Sequence, residues 1–225
     1  YTLVYTLSLH DALPISHFSS TVCELLGLGA EYVEITDERG DEFAHREETP
    51  DMLIGGSKTE EYDPEEGYDF FNSPSYVQDL PVEGRPTCMT SKNGGTAVAR
   101  LRRRGGDDVE IFVGGYTNAA ALAEYLEERN RPTFLVSCGS DGVSTMDDLL
   151  GAVLVDRYLR GEPLSDVEED HFAKMLETSK GPRYFEKHET RQRDLGEFET
   201  DINRRHVVPK LDGRRLVDVA DRSDE

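Results

Sequence analysis

Basic residues are scarce in this chain, lysine most of all. Among 225 residues, Lys and Arg total 25 (six Lys, 19 Arg) against 46 Asp and Glu, a formal charge of −21. Repulsion of that size disfavours binding to nucleic acid or to an anionic membrane surface. Cysteine is also rare, since Cys23, Cys88 and Cys138 form no C-x-x-C pair and have no cluster of His beside them. This excludes a disulfide framework or a zinc ribbon and fits a reducing interior. No apolar run approaches the roughly 18 residues of a membrane span, so a soluble, cytoplasmic protein is expected. Walker A, G-x-G-x-x-G and G-x-S-x-G patterns are missing. Nucleoside triphosphate, dinucleotide and α/β-hydrolase chemistry therefore have no support.

Apolar residues make up 36% of the chain and fall in organised runs, which predicts a folded core. The carboxylates are spread along the whole chain, and together with the low Lys content they predict a protein of a salty cytoplasm. At 1 M salt the Debye length is about 3 Å, and most self-repulsion disappears.

The opening residues 1–16, YTLVYTLSLHDALPIS, lack the basic start and cleavage site of a signal peptide. They resemble translated sequencing-adapter read-through, and the composition changes abruptly at His17. One α/β domain is thus expected over 17–213, with 1–16 outside the fold and a polar tail over 214–225. A genuine strand within 1–9 is the competing reading.

From His17 the sequence predicts a Ser/Thr-capped helix, a strand over 32–35, a brief strand in DMLIGG and an exposed acidic loop over 57–66. Strand candidates at 87–90, 109–113 and 133–137 are each followed by a Gly-rich turn and an Ala/Leu-rich helical stretch. Alternating strand and helix predicts a three-layer α/β/α fold with a largely parallel central sheet. The turns SKNGG, GGYTN and CGSDGVSTMDD fall at strand ends and lead into helix starts, so they are expected to converge on one crevice. Free N–H groups at helix starts suit a phosphate or carboxylate. For Gly94, Asn93 and Asn118, simple turn and cap roles are the competing reading. Asp147 and Asp148 open the third helix, either as ordinary dipole partners or as ligands of a hydrated Mg²⁺, which takes one or two carboxylates plus phosphate oxygens. Asp201 is a second candidate by position. Asp218 and Asp221 are expected to be solvated.

The runs GYDFFNSPSYV, MTSKNGGTAVARL, GGYTNAAALAEYL, LVSCGSDGVSTMDDLLGAVLVDRYL and DINRRHVVPKLDG, in that order and spacing, resemble the 2-phosphosulfolactate phosphatase family. The resemblance implies a Mg²⁺-dependent α/β phosphatase that converts 2-phospho-3-sulfolactate to 3-sulfolactate on the way to coenzyme M. It implies substrate contacts at Asn72 and Ser73 of the N-S-P turn, at Asn93, Gly94 and Thr96, and at Asn118. It also implies catalytic roles for Asp148 and Asp201 and a metal site at Asp148 with Asp147. Aligning the family's first helix on Ser19, Ser20 and Thr21 adds His17, Ser19 and Ser20 to the substrate contacts. It puts His17 where the family has Arg and Pro14 where it has Asp, so one acidic group is missing. The partner expected is a small anionic phosphoester, with no nucleic acid or membrane, and a homodimer is compatible. The alternatives are a non-catalytic anion- or metabolite-binding protein and a phosphatase for another acidic phosphoester.

Overall fold

The computed structural model describes residues 2–6, 16–91, 94–105, 109–129, 131–137, 145–181, 186 and 188–220, excluding the side chains of 2–6, 16, 17, 100, 104, 105 and 137. Among the described residues, nine strands form one sheet: β1 (Thr2–Thr6), β2 (Tyr32–Thr36), β3 (Leu53–Gly56), β4 (Phe70–Phe71), β5 (Pro86–Thr90), β6 (Glu110–Val113), β7 (Thr133–Ser137), β8 (Pro209–Asp212) and β9 (Arg215–Asp218). Their order is β4-β3-β5-β2-β9-β8-β6-β1-β7. The helices are α1 (Ser16–Gly27), α2 (Asp41–Glu48), α3 (Gly94–Gly105), α4 (Ala119–Arg129), α5 (Met146–Leu159), α6 (Asp166–Lys180) and α7 (Glu189–Arg193).

Alternation along the strands sorts the core into layers. Met89 of β5 and Ile111 and Val113 of β6 face a cluster built on Phe18, Val22 and Leu25 of α1. On the opposite face, Phe112 packs with Leu122 of α4, Leu154 of α5 and Phe172 of α6. Cys88 joins Tyr32, Met52 and Ile54 in a third cluster. Strands buried on both faces are what a sheet covered by helices on both sides requires. The fold is α/β, as expected. Cys23 and Cys88 are buried free thiols, whose pKa values burial pushes up. No helix among the described residues is long and apolar enough to cross a membrane.

Pairing directions refine the expected sheet. β4, β3, β5 and β2 are mutually parallel, and so are β6, β1 and β7. The β8–β9 hairpin joins the two blocks with antiparallel pairs on both sides. β5 and β6, consecutive in sequence, therefore stand in different blocks that run in opposite senses.

Two boundary expectations change. Where read-through resemblance sets 1–16 outside the fold, Thr2–Thr6 pairs on both sides, Val4 lying between Phe112 and Leu135. Where composition predicts a polar tail from 214, the chain turns at Gly213 (φ 61°) and forms β9. Leu216 is fully buried there, opposite Val33 of β2. The reason is alternation. A strand whose charged residues point outward still fills a sheet gap with one apolar side chain. Asp218 is likewise not simply solvated, because its Oδ1 accepts from the Val208 and Ala220 amides at 2.8 and 3.0 Å. Asp221 lies outside the described residues.

Candidate functional site

The first turns of α1 hold the site together. Phe18, Ser19, Ser20 and Thr21 are all buried. On one side they meet the loop that follows β5. Ser91 Oγ accepts from the Gly94 amide at 3.0 Å, and the Ser91 carbonyl accepts from Gly95 at 2.7 Å, which winds the chain into α3. A Cβ on Gly94 would stand 2.5 Å from the Phe18 ring, and one on Gly95 would stand 2.2 Å from the Thr36 carbonyl oxygen. Only glycine allows α3 to begin this close to α1 and β2. Thr96 follows, half-buried, in the same turn.

On the other side lies the loop after β6. Thr117 Oγ1 donates to Ser20 Oγ at 2.9 Å, and a Cβ on Gly115 would sit 3.1 Å from Ser19 Oγ. Convergence of these two loops thus comes from α1, which touches both, and not from neighbouring strands. Twist of roughly 20–25° per strand step accumulates over the four steps between β5 and β6, so the two blocks are far from coplanar. The third turn, 138–144, and Asn93 lie outside the described residues. His17 is in α1, but its side chain lies outside them too.

Asn118 is fully buried and its amide is taken up by backbone. Oδ1 accepts from the Gly115 amide at 3.1 Å and Nδ2 donates to the Val207 carbonyl at 3.0 Å. It fixes the loop from within, the cap role that sequence offered as the competing reading. Ser73 is similarly committed. Its hydroxyl donates to Asp194 Oδ1 at 2.6 Å, as does Ser75 Oγ at 2.6 Å, and Arg191 holds the other carboxylate oxygen at 2.9 Å. Arg191 also donates to the Asn72 carbonyl at 2.9 Å, so α7 and the π-helical turn Asp194–Glu199 clamp the whole N-S-P turn.

Two polar atoms beside that turn are different. Ser57 Oγ and Asn72 Oδ1 are buried without a hydrogen-bond partner. β3 pairs Gly56 with Phe71 and Gly55 with Met89, so Ser57 stands opposite Asn72 on one side and Ser91 on the other. Ser57 is only 3% exposed, which corrects the expectation of an exposed loop from residue 57. The acidic part of that loop, Glu60, Glu61, Glu65 and Glu66, is exposed as expected.

The carboxylates separate into three situations. Asp147 and Asp148 are both buried in the first turn of α5. Lys180 Nζ lies 2.8 Å from Asp147 and 3.7 Å from the fully buried Glu199. Burial pushes the Asp147 pKa up, but the Lys180 charge and hydrogen bond outweigh it, and the net shift is downward. The Tyr116 hydroxyl donates to the Asp147 carbonyl, and burial, reinforced by the nearby carboxylates, raises its own pKa well above the usual phenol value. Asp201, by contrast, is exposed and paired with Arg204 at 2.9 Å. Among the described residues no group of three or more His, Cys, Asp or Glu is placed to hold a metal ion. With Asp147 committed to Lys180, the described donor set does not amount to a Mg²⁺ cage.

Sequence reasoning missed Ser57, Lys180, Arg191, Asp194 and Glu24. Glu24 is fully buried in α1 and accepts from Gln78, Arg204 and Arg205, which ties the 204–205 segment to the helix. The available signal was rarity, because a lysine in a lysine-poor chain standing directly after a strand, as Lys58 does, is a candidate by composition alone.

A protein of Deinococcus radiodurans named "Probable 2-phosphosulfolactate phosphatase" is 29% identical over 181 residues, 75% of this chain and 72% of that protein. One of the same name from Caldanaerobacter subterraneus subsp. tengcongensis is 30% identical over 109 residues, 48% of this chain and 43% of its own length. The "2-phosphosulfolactate phosphatase" of Methanocaldococcus jannaschii is 31% identical over 104 residues, 43% of this chain and 44% of its own. The chain thus matches less than half the length of two of these relatives and about 72% of the third. The sequence profile of the 2-phosphosulpholactate phosphatases matches residues 17–212, from α1 to the end of β8, and the chain belongs to that family.

Proposed function

We propose that this chain is a phosphomonoesterase that hydrolyses 2-phospho-3-sulfolactate to 3-sulfolactate and inorganic phosphate. The observation that carries the reading is the meeting of the Gly94–Gly95 and Gly115 loops at the first turns of α1. Two helix starts, α1 and α3, come together there, and the positive ends of their dipoles favour an anion. Gly94, Thr96, Ser19 and Ser20 hold the phosphoryl group, Asn72 flanks it, and Asn118 and Ser73 keep their loops in place. Charge developing on the transferring phosphoryl oxygens is stabilised by helix dipoles already fixed in direction and by the Ser19, Ser20 and Thr96 hydroxyls, so little reorganisation is needed. Water attacks phosphorus in line, the ester oxygen leaves and takes a proton, and phosphate and a hydroxy acid are released. The Mg²⁺ expected from the resemblance would rest on Asp148, since Asp147 is held by Lys180, and no step of this reading depends on it. In the cell the reaction would stand on a route to coenzyme M in a reducing cytoplasm.

A second reading is a binding protein that keeps the anion cradle without the chemistry. It draws on the thin carboxylate set among the described residues. Phosphate release from 2-phospho-3-sulfolactate in molar KCl, with and without Mg²⁺, separates the two. Turnover above that of a monoester of an uncharged alcohol, such as glycerol 3-phosphate, supports the enzyme, whereas tight phosphate binding with no turnover supports the second reading.

A further inference from the structure

We infer that Ser57, Asn72 and Lys58 form the subsite for the organic half of the ligand, with Lys58 taking its far acid group and Ser57 and Asn72 taking the hydroxyl that hydrolysis frees in the product. This rests on the phosphatase reading for its substrate class, and it stands on a separate group of residues.

The starting observation is a pair of buried polar atoms left without partners, Ser57 Oγ and Asn72 Oδ1, on adjacent strand ends. A buried hydroxyl or amide without a hydrogen bond is costly, and a native chain retains one where something else completes it. Ser57 can donate or accept, and the Asn72 amide oxygen accepts, so together they suit a ligand hydroxyl. Next along the chain is Lys58, whose ammonium donates to the Thr59 carbonyl at 3.3 Å and lies 3.5 Å from the centre of the Tyr62 ring. Among the described residues it forms no ion pair with a carboxylate, although 46 acids share the chain with only six lysines. Lys180 and Lys210, by comparison, are both ion-paired. Burial and the nearby Arg191 charge lower the Lys58 pKa, only partly offset by the Glu60 charge, a penalty that a bound anion relieves. Tyr62 is held under this ammonium in a left-handed conformation (φ 66°), and His188 stacks on its other side at 4.5 Å. The loop thus carries, one residue after Ser57, a cation that forms no ion pair with a carboxylate among the described residues.

Spacing connects this group to the phosphate cradle. Asn72, Ser57 and Ser91 stand at successive strand ends, and neighbouring strands lie about 5 Å apart. Ser91 in turn shapes the start of α3. One strand step, about 5 Å, matches the reach of a three-carbon hydroxy acid from its C2 oxygen to its far acid group. A sulfonate or a carboxylate would satisfy Lys58 equally.

The test is calorimetric titration of the wild-type chain, Lys58→Met, Lys58→Arg and Ser57→Ala in molar KCl. The probes are 3-sulfolactate, isethionate (hydroxyl and sulfonate), lactate (hydroxyl and carboxylate) and inorganic phosphate. Lys58→Met is expected to weaken 3-sulfolactate at least tenfold relative to its effect on phosphate, with Lys58→Arg recovering most of the loss and Ser57→Ala giving a loss of about threefold or more. Whichever of isethionate and lactate shows the same Lys58 dependence identifies the acid group. Equal weakening of 3-sulfolactate and phosphate, or no weakening, overturns the subsite, as does failure of the wild-type chain to bind 3-sulfolactate. If 3-sulfolactate binds through Lys58 but no ester is hydrolysed, the subsite stands and the phosphatase reading falls. If the ester is hydrolysed with a KM that Lys58→Met leaves unchanged, the reverse holds.

Discussion

Asp147 and Gly95 illustrate how single residues set the site. Asp147 looked from sequence like a helix-dipole partner or a metal ligand, and the structure instead buries it against Lys180. Lys180 is 33 residues away, at the end of α6, and no local pattern announces such a pairing. Removing one member of a buried pair costs about 3–5 kcal/mol, because the other charge loses its partner. With Glu199 still 3.7 Å from Lys180, Asp147→Asn is expected at the lower end, about 3 kcal/mol by urea unfolding at pH 7. The pH dependence follows from the downward shift of Asp147. A carboxylate with a lowered folded pKa contributes stability above its ordinary value, about 3.9, and loses it as the pH falls through the folded value. The gap between wild type and variant should therefore narrow below about pH 4, and a gap that persists unchanged in acid would show that the ion pair is not its cause. Gly95 is constrained by the Thr36 carbonyl, 2.2 Å from where a Cβ would be. Gly95→Ala should cost about 1–3 kcal/mol through forced displacement of α3, read as a Tm several degrees lower. An unchanged Tm would mean that the helix start has room to spare.

At the scale of elements, the long apolar strands β5, β6 and β7 and the helices after them were legible because each carries its own periodic signal. The β8–β9 hairpin was not, since KLDGRRLV reads as charged and polar and only its pairing with β2 and β6 makes it a strand pair. It is nevertheless what separates the two parallel blocks, so the sheet order was beyond reach without it. The site was legible in part for the same reason. Glycine-rich turns are local signals, whereas the clamps from Asp194, Arg191 and Lys180 come from far along the chain. β1 gives the clearest element-scale prediction. Paired on both sides, the Val4 and Tyr5 amides should exchange with solvent about as slowly as those of Ile111 and Phe112 in β6. Rapid exchange at Val4 with slow exchange at Ile111 would place the segment outside the sheet.

Over the whole molecule, charge is the dominant physical fact. A net −21 on one domain repels itself, and the many ion pairs described here neutralise only some of it. Thermal stability is expected to rise from low to molar KCl as screening removes that repulsion, and a Tm that stays flat across this range would defeat the reading of a salt-adapted protein. The same charge makes a local cationic or helix-start site more selective, since small anions can enter a cradle that a large polyanion cannot approach. The central proposal, a phosphate cradle at the α1 and α3 starts with an acid-binding flank at Lys58, is tested most directly by phosphorus NMR of 2-phospho-3-sulfolactate with the wild-type chain in molar KCl and Mg²⁺. Conversion of the ester resonance to inorganic phosphate, faster than for glycerol 3-phosphate under the same conditions, is the predicted result. An ester resonance that persists unchanged would contradict it.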